Sequence, residues 1–106
     1  MKKGLIISGN LAQDHEFIYP YYRLLEENFE LDVCLPDGKP VLGFLGTTLP
    51  PNKDQIIKKI NEVSVDDYDV LVLPGGVKAM EKIRQDIKII DFISNFNSKN
   101  KIIACI

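Results

Sequence analysis

The sequence has little of several residue types that mark particular protein classes. Its 106 residues include two cysteines, one histidine and no tryptophan. Cys34 and Cys105 are far apart, and two cysteines do not provide the disulfide framework of a small secreted domain. The single histidine, His15, has no cysteine at the spacing of a zinc site. We therefore expect neither structural disulfides nor a bound metal.

The sequence also lacks a strong charge bias and long apolar runs. Its formal net charge is -2, which argues against a basic face for nucleic acid or a polybasic membrane anchor. No run approaches the roughly 18–20 apolar residues that span a bilayer. The apolar stretch that follows Met-Lys-Lys at the start of the chain ends at Ser8, and it is shorter than the apolar region of a secretory signal. These features predict one cytoplasmic domain with no nucleic-acid or membrane partner.

Short apolar segments bounded by turn residues alternate with helical patterns along the chain. Continuous apolar runs are typical of strands that are buried on both faces of a sheet. We predict strands at residues 4–8, 31–35, 69–73 and 101–106, with a hairpin arm at 41–46 that contains Gly43 and Gly46. The turn at residues 36–38 has the Pro-Asp-Gly sequence that favours a chain reversal.

The segments between these strands have the apolar spacing of amphipathic helices. One helix is predicted from an Asp14 N-cap to about Glu27, with Pro20 marking either a kink or the first turn. A short helix is predicted at 53–62, and another from residue 78 to about 97, with a break near Asp86. Alternating strands and helices predict an α/β fold with a mainly parallel sheet covered on both faces.

Two loops at the predicted carboxyl edge of this sheet carry candidate site residues. Gly75 and Gly76 follow a buried strand, where their N–H groups suit a developing oxyanion, although a tight turn alone would need the same glycines. Glu16 opens the first helix, either as a carboxylate that orients a nucleophile or as an ordinary acid in a first turn. Neighbouring His15 is either a base or a solvent-facing side chain.

Other reactive or aromatic side chains have simpler interpretations. Glu81 is expected on the solvated face of its helix, and both cysteines are expected to be inert, buried thiols. A cluster of tyrosines is expected to pack or to form an interface, and it comprises Tyr19, Tyr21 and Tyr22. The chain lacks the aspartate of a response-regulator receiver behind its central strand. It also lacks the glycine spacing of a dinucleotide-binding loop behind its first strand.

Three segments read together resemble the PfpI intracellular protease family, also called ThiJ/PfpI. They are Glu-Phe-Ile-Tyr-Pro-Tyr-Tyr-Arg-Leu at 16–24, Tyr-Asp-Val-Leu-Val-Leu-Pro-Gly-Gly at 68–76 and Lys-Ile-Ile-Ala-Cys-Ile at 101–106. The family belongs to the superfamily of the Parkinsonism-associated deglycase and the class I glutamine amidotransferase domains. The resemblance implies a flavodoxin-like sheet sandwiched by helices. It also implies that residues 1–106 form the amino-terminal part of one such domain.

The resemblance assigns roles to four candidate residues. Glu16 corresponds to the carboxylate that hydrogen-bonds the nucleophilic cysteine of the family. Gly75 and Gly76 match the turn that contributes to the oxyanion hole. Glu81 corresponds, after a one-residue insertion, to an acid that some members lend to a neighbouring subunit. The glycines at 43 and 46 match a protruding hairpin that is used in dimer contacts.

The nucleophile itself is expected one position beyond Ile106, and the chain is therefore expected to be incomplete at this end. Cys105 is the alternative nucleophile if the register slips. Gln13 stands where many members have a second acid, which weakens the local negative field.

The resemblance implies a cytoplasmic, cysteine-dependent hydrolase that acts as a protease, a deglycase or a glyoxalase-like enzyme. It implies no cofactor or metal, a homo-oligomer, and a peptide or glycated (α-oxoaldehyde) substrate. The alternative is a redox-sensing or chaperone-like stress protein of the same fold, in which the cysteine is oxidised rather than turned over. A chain that ends at Ile106 would instead be an inactive binding or assembly remnant with an exposed strand edge.

Overall fold

The computed structural model describes residues 2–106 as an α/β fold built on a five-stranded parallel sheet. The strands are β1 (Lys3–Ile7), β2 (Glu30–Cys34), β3 (Val41–Leu42), β4 (Thr48–Leu49), β5 (Ile57–Lys58), β6 (Val70–Leu73) and β7 (Ile102–Cys105). The sheet order is β5-β2-β1-β6-β7, while β3 and β4 form a separate antiparallel hairpin. The predicted parallel sheet, its four main strands and the hairpin are confirmed.

Helices cover both faces of the sheet, as predicted. They are α1 (Asp14–Glu26), α2 (Val77–Ile83) and α3 (Ile87–Ser98). Phe17 and Tyr21 of α1 are completely buried in the core on one face, and Phe92 and Phe96 of α3 are buried on the other. The predicted break near Asp86 is confirmed, because its carboxylate accepts the Lys88 N–H at 3.0 Å and caps α3.

The helix predicted at 53–62 is wrong. Residues 57 and 58 instead form β5, in which Ile57 pairs with Val33 of β2 in parallel register. Ile56 is 69% exposed, so the expected apolar helical face does not form. The free edge of β2 offers hydrogen-bonding partners, and β-branched isoleucines fit a strand there better than a helix.

Asp14 does not cap α1 as predicted. Gln13 holds the cap position without a side-chain cap bond, and Asp14 is the first residue of the helix. Its side chain is buried at 2% exposure because the carboxylate is turned toward the β3–β4 hairpin. Pro20 lies inside α1 rather than in its first turn.

The two cysteines differ in burial. Cys34 is buried as predicted, and burial, reinforced by the Asp86 and Glu62 carboxylates, raises the pKa of its thiol to about 12. The expectation that Cys105 is buried is wrong, since its side chain is exposed. β7 pairs with β6 on one side, and residues 2–106 place no strand on its other side.

A cluster of polar side chains surrounds Asp32 in the middle of β2. Its carboxylate accepts the Tyr68 hydroxyl at 2.6 Å and lies 3.0 Å from Lys58 Nζ and 3.3 Å from Lys3 Nζ. Burial alone would raise the pKa of Asp32, but these donors outweigh it and lower the pKa. Burial and the neighbouring Asp32 carboxylate raise the pKa of Tyr68. This cluster joins three strands through side chains.

No helix within residues 2–106 is long and apolar enough to cross a membrane.

Candidate active site

The candidate site lies at the carboxyl ends of β1 and β6. β1 is flanked by β2 on one side and by β6 on the other, so the direction of strand addition reverses at β1. In open parallel sheets, ligands bind in the crevice at such a reversal. The loop at residues 8–13 and the turn at residues 74–76 meet there, which places the start of α1 beside the start of α2.

Gly75 joins the two loops through both of its backbone polar groups. Its N–H donates to Glu16 Oε1 at 2.8 Å, and its carbonyl accepts the Gln13 N–H at 3.1 Å. The first turn of α1 is thereby fixed to the turn that precedes α2. Glu16 and the glycine turn, both predicted as site residues, are brought together by this contact.

The glycine turn is too crowded for side chains. A Cβ on Gly75 would overlap Glu16 Oε1 and would lie 2.7 Å from the Ile106 carbonyl oxygen. Gly76 has a φ of +114°, and a Cβ there would lie 2.8 Å from the Gln13 nitrogen. Both glycines are therefore required by close approach, and the second also by its backbone angle.

The Ile106 backbone reaches the same place. Its N–H donates to the Leu73 carbonyl at 3.2 Å, which continues the pairing of β7 with β6 beyond the last ladder residues. The carboxylate of Glu16, the buried Gly75 and the carbonyl of Ile106 thus converge on one point at the edge of the sheet.

Asp14 anchors the hairpin against this edge, a role that sequence reasoning missed. Its two carboxylate oxygens accept the Leu45 N–H at 2.7 Å and the Thr47 N–H at 3.1 Å. The Leu45 N–H lowers the pKa of Asp14; burial opposes this, and Thr47 reinforces it. Gly43 permits the approach, because a Cβ there would overlap the carboxylate. The sequence features that could have indicated this anchor are the acid two residues before Glu16 and the glycine at position 43.

The backbone of the first loop is held by the hairpin as well. The Leu11 N–H donates to the Leu42 carbonyl at 2.7 Å, and the Phe44 N–H donates to the Ala12 carbonyl at 2.8 Å. The loop that leads to Glu16 is therefore held between the hairpin on one side and the Gly75 turn on the other. This arrangement restricts where the Glu16 carboxylate can move.

Glu81 is not part of this contact. It lies exposed on α2, and its carboxylate pairs with Arg84 at 3.2 Å. His15 is also exposed. Within residues 2–106, no group of three histidine, cysteine or acidic side chains is arranged to hold a metal ion.

The predicted tyrosine cluster divides between core and surface. Tyr21 is fully buried and donates its hydroxyl to Gln55 Oε1 at 2.7 Å. Tyr19 and Tyr22 are exposed on the outer side of α1. Tyr21 thus packs as expected, with the Tyr22 ring edge-on to it at 5.2 Å, and the exposed Tyr19 and Tyr22 fit the interface alternative.

Comparison with known proteins finds relatives across the whole chain. A model of the DJ-1/PfpI family matches residues 2–106. The chain is 36% identical over 102 residues to the deglycase PYRAB04690 of Pyrococcus abyssi, covering 96% of this chain and 58% of that protein. It is 33% identical over 104 residues to the deglycase PfpI of Pyrococcus furiosus, covering 98% of this chain and 59% of that protein.

A solved structure shares the fold. It is a two-domain protein from Anabaena variabilis with DJ-1/ThiJ/PfpI-like and ferritin-like domains. The match has a TM-score of 0.87 at 25% identity and covers 99% of this chain and 29% of the other. The chain spans just under three-fifths of the length of the two archaeal relatives.

Proposed function

The chain belongs to the DJ-1/PfpI family, and on that basis we propose that the whole protein is a cysteine-dependent hydrolase. The names of the two archaeal relatives favour a deglycase, which removes α-oxoaldehyde adducts from proteins, over a peptidase. We also propose that residues 1–106 are the amino-terminal part of one domain and that the nucleophilic cysteine follows Ile106.

The convergence of Glu16, Gly75 and the Ile106 backbone supports this proposal. A residue bonded to the Ile106 carbonyl carbon begins near Glu16, because that carbonyl oxygen and Glu16 Oε1 both border the space that a Cβ on Gly75 would fill. Glu16 Oε1 is occupied by the Gly75 N–H, which leaves Oε2 to hold a thiol. A thiol fixed there by a carboxylate is positioned to attack a carbonyl carbon.

In this mechanism the glycine turn supplies an N–H donor that stabilises the negative charge on the carbonyl oxygen. Attack by the thiolate forms a carbon–sulfur bond and moves the carbonyl electron pair onto oxygen. Collapse of this intermediate restores the carbonyl and breaks the bond to the amine leaving group, which takes up a proton. Water then attacks the same carbon, breaks the carbon–sulfur bond and returns the free thiol. The N–H of Gly75 is engaged by Glu16, so the N–H of Gly76 at the start of α2 is the donor assigned to the oxyanion. Gly75 then acts by positioning Glu16.

We also propose that the tip of the hairpin and Glu81 take part in assembly. Phe44 and Leu45 at the tip of the hairpin are 66% and 63% exposed, as expected for apolar side chains that a second copy covers. Glu81 is exposed on α2, where its pairing with the exposed Arg84 leaves it accessible to the site of a neighbouring subunit. A homo-oligomer in the cytoplasm, where free thiols such as Cys34 and Cys105 stay reduced, fits these features.

The test uses the whole protein and the variant Glu16→Gln. If Glu16 holds the thiol, this variant loses about 100-fold in the rate of cysteine alkylation by iodoacetamide and in hydrolysis of methylglyoxal-treated protein. Glu26→Gln, on the exposed side of the same helix, is the matched control and keeps both rates. Unchanged rates in Glu16→Gln would overturn the assignment.

The same preparation separates the proposal from the redox alternative. A hydrolase consumes the α-oxoaldehyde adduct over many turnovers. A redox sensor instead gains the mass of added oxygen when treated with peroxide and hydrolyses no adduct. That second pattern would replace the hydrolase proposal with the non-enzymatic role.

A further inference from the structure

A cavity lies at the carboxyl ends of β1 and β2, on the sheet face that carries α3. Its volume is about 520 Å³, within the range of small-molecule sites. It is lined by Cys34 at the end of β2, by Leu35 directly after it, and by Ile83 and Ile89 from the helices. The cavity shares Ser8 and Gly9 of the first loop with the candidate active site but does not include its Glu16–Gly75 contact.

The inner wall of the cavity is apolar. Ile83 and Ile89 are at most 8% exposed, and Leu35 is 2% exposed. Burial keeps the Cys34 thiol neutral at physiological pH, so this wall carries no charge. Such a wall favours an apolar ligand body and disfavours a strongly hydrated dianion such as phosphate.

The rim of the cavity carries more positive than negative charge. Lys59, Lys82 and Lys88 line it, against Asp37 and Asp86. The nearby Glu62 carboxylate also acts on Cys34, but it does not line the cavity and it accepts the Lys59 N–H. The Asp86 carboxylate is already used by the first turn of α3, where it accepts the Lys88 N–H. The helix dipole offsets part of its charge. The rim thus favours an anionic group.

An unpartnered hydroxyl belongs to the lining of the cavity. Ser8 lines the cavity and is 1% exposed, and its hydroxyl oxygen has no hydrogen-bond partner within residues 2–106. Buried hydroxyls are normally satisfied by protein, water or ligand.

We propose that this cavity binds a medium-chain carboxylate, with the alkyl chain against the isoleucine wall and the carboxylate at the lysine rim. The proposal goes beyond the hydrolase function and does not depend on it. Apolar walls with a few placed polar groups are the usual composition of a small-molecule site. A single charge at one end of an apolar chain matches a lysine rim above an uncharged wall.

The binding test uses three probes that separate charge from apolar area. Octanoate carries both features, 1-octanol has the chain without the charge, and acetate has the charge without the chain. Amide NMR titration of the purified protein is expected to show saturable shifts with octanoate at residues 8–9, 60–61 and 87–89. Octanol and acetate are each expected to bind at least about tenfold more weakly.

Two sets of variants test the location. The triple variant Lys59→Gln, Lys82→Gln, Lys88→Gln is expected to weaken octanoate binding about tenfold, and the matched triple variant of Lys2, Lys53 and Lys78 is expected to leave it unchanged. All six lysines are exposed, so folding is not at risk. Ile87→Asp on the 68%-exposed rim is expected to abolish binding, while Val77→Asp, 83% exposed outside the cavity, retains it.

Several results would overturn the proposal. Equal binding of octanoate and octanol would mean an apolar groove without anion recognition, and equal binding of acetate would mean unspecific anion binding. Shifts that do not saturate, or that cluster on the outer side of α1, would exclude this cavity. Loss of binding in the control lysine variant would show general charge attraction instead of a site.

Discussion

The acidic side chains at the edge of the sheet and the one in the middle of β2 are held by different kinds of donor. Asp14 and Glu16 accept hydrogen bonds from backbone N–H groups of the hairpin and of Gly75. Asp32 accepts hydrogen bonds from the side chains of Lys58 and Tyr68 and forms an ion pair with Lys3.

The difference indicates what each region is built for. Backbone N–H donors are held in place by the fold, so they leave the carboxylate that accepts from them little freedom to move. Substitution of a side chain does not remove such a donor. Side-chain donors join strands but can rearrange or be replaced one at a time. We therefore propose that the edge positions a carboxylate and that the Asp32 cluster stabilises the sheet.

A methyl group at Gly75 is expected to displace the Glu16 carboxylate from its position. Gly75→Ala is expected to destabilise the protein by about 2–3 kcal/mol and to abolish cysteine reactivity in the whole protein. The new methyl group meets both the Glu16 carboxylate and the Ile106 carbonyl. Urea unfolding and alkylation rates measure the two effects.

The matched control for that variant is Gly9→Ala on the neighbouring loop. There a Cβ would lie 3.7 Å from the Ala79 carbonyl oxygen, an ordinary contact. Its stability is expected to stay within about 0.5 kcal/mol of the parent. Equal effects of the two variants would mean that the close approach at Gly75 has no special role.

Neutralising the side-chain cluster is expected to affect stability alone. Asp32→Asn leaves Lys3 and Lys58 without a counter-charge and is expected to cost about 1–2 kcal/mol in urea unfolding. Cysteine alkylation in the whole protein is expected to keep its parental rate. A lowered alkylation rate with intact folding would remove the distinction between the two regions.

Removing the Asp14 carboxylate tests the hairpin anchor. Asp14→Ala leaves the Leu45 and Thr47 N–H groups without their acceptor. Hydrogen exchange of these two amides is expected to accelerate about tenfold or more, with little change in β1 and β6. Exchange that accelerates evenly along the chain would show global destabilisation rather than release of the hairpin.

Lowering the pH is expected to distinguish the two regions least, because the carboxylates of both regions lose their charge. The pKa values of Asp14 and Asp32 lie below the ordinary value of 3.8 in the folded protein. Folding therefore gains stability from both groups above that pH and loses it as the pH falls through the lowered values. Asp32→Asn is expected to reduce the slope of stability against pH below about 4, and a parental slope would contradict this.

Much of the fold follows from local patterns in the sequence. The apolar runs of β1 and β6 are buried whatever the details of packing, and the break before α3 follows from the capping side chain of Asp86. Glu16 and Gly75 were both expected at the carboxyl edge of the parallel sheet, because each follows a strand that ends there, and the hydrogen bond between them is a finding of the structure.

Two features did not follow from the sequence, because each depends on a partner distant in the chain. β5 replaces the predicted helix since the edge of β2 is free to pair with Ile57. Asp14 turns away from the helix cap since the hairpin presents two N–H groups to it. Cys105 of β7, expected to be buried from the apolar run around it, is exposed within residues 2–106.

The sequence by itself determined the alternation of strands and helices, the glycine turn and the acid that faces it, because these depend on local periodicity and on residues with special backbone freedom. Tertiary structure alone decided which donors each carboxylate receives. It also decided which strand edge is paired and where the lysine-rimmed cavity opens. The physical reason is that hydrogen-bond partners and cavities arise between segments that are distant in the chain, whose meeting depends on packing of the whole sheet.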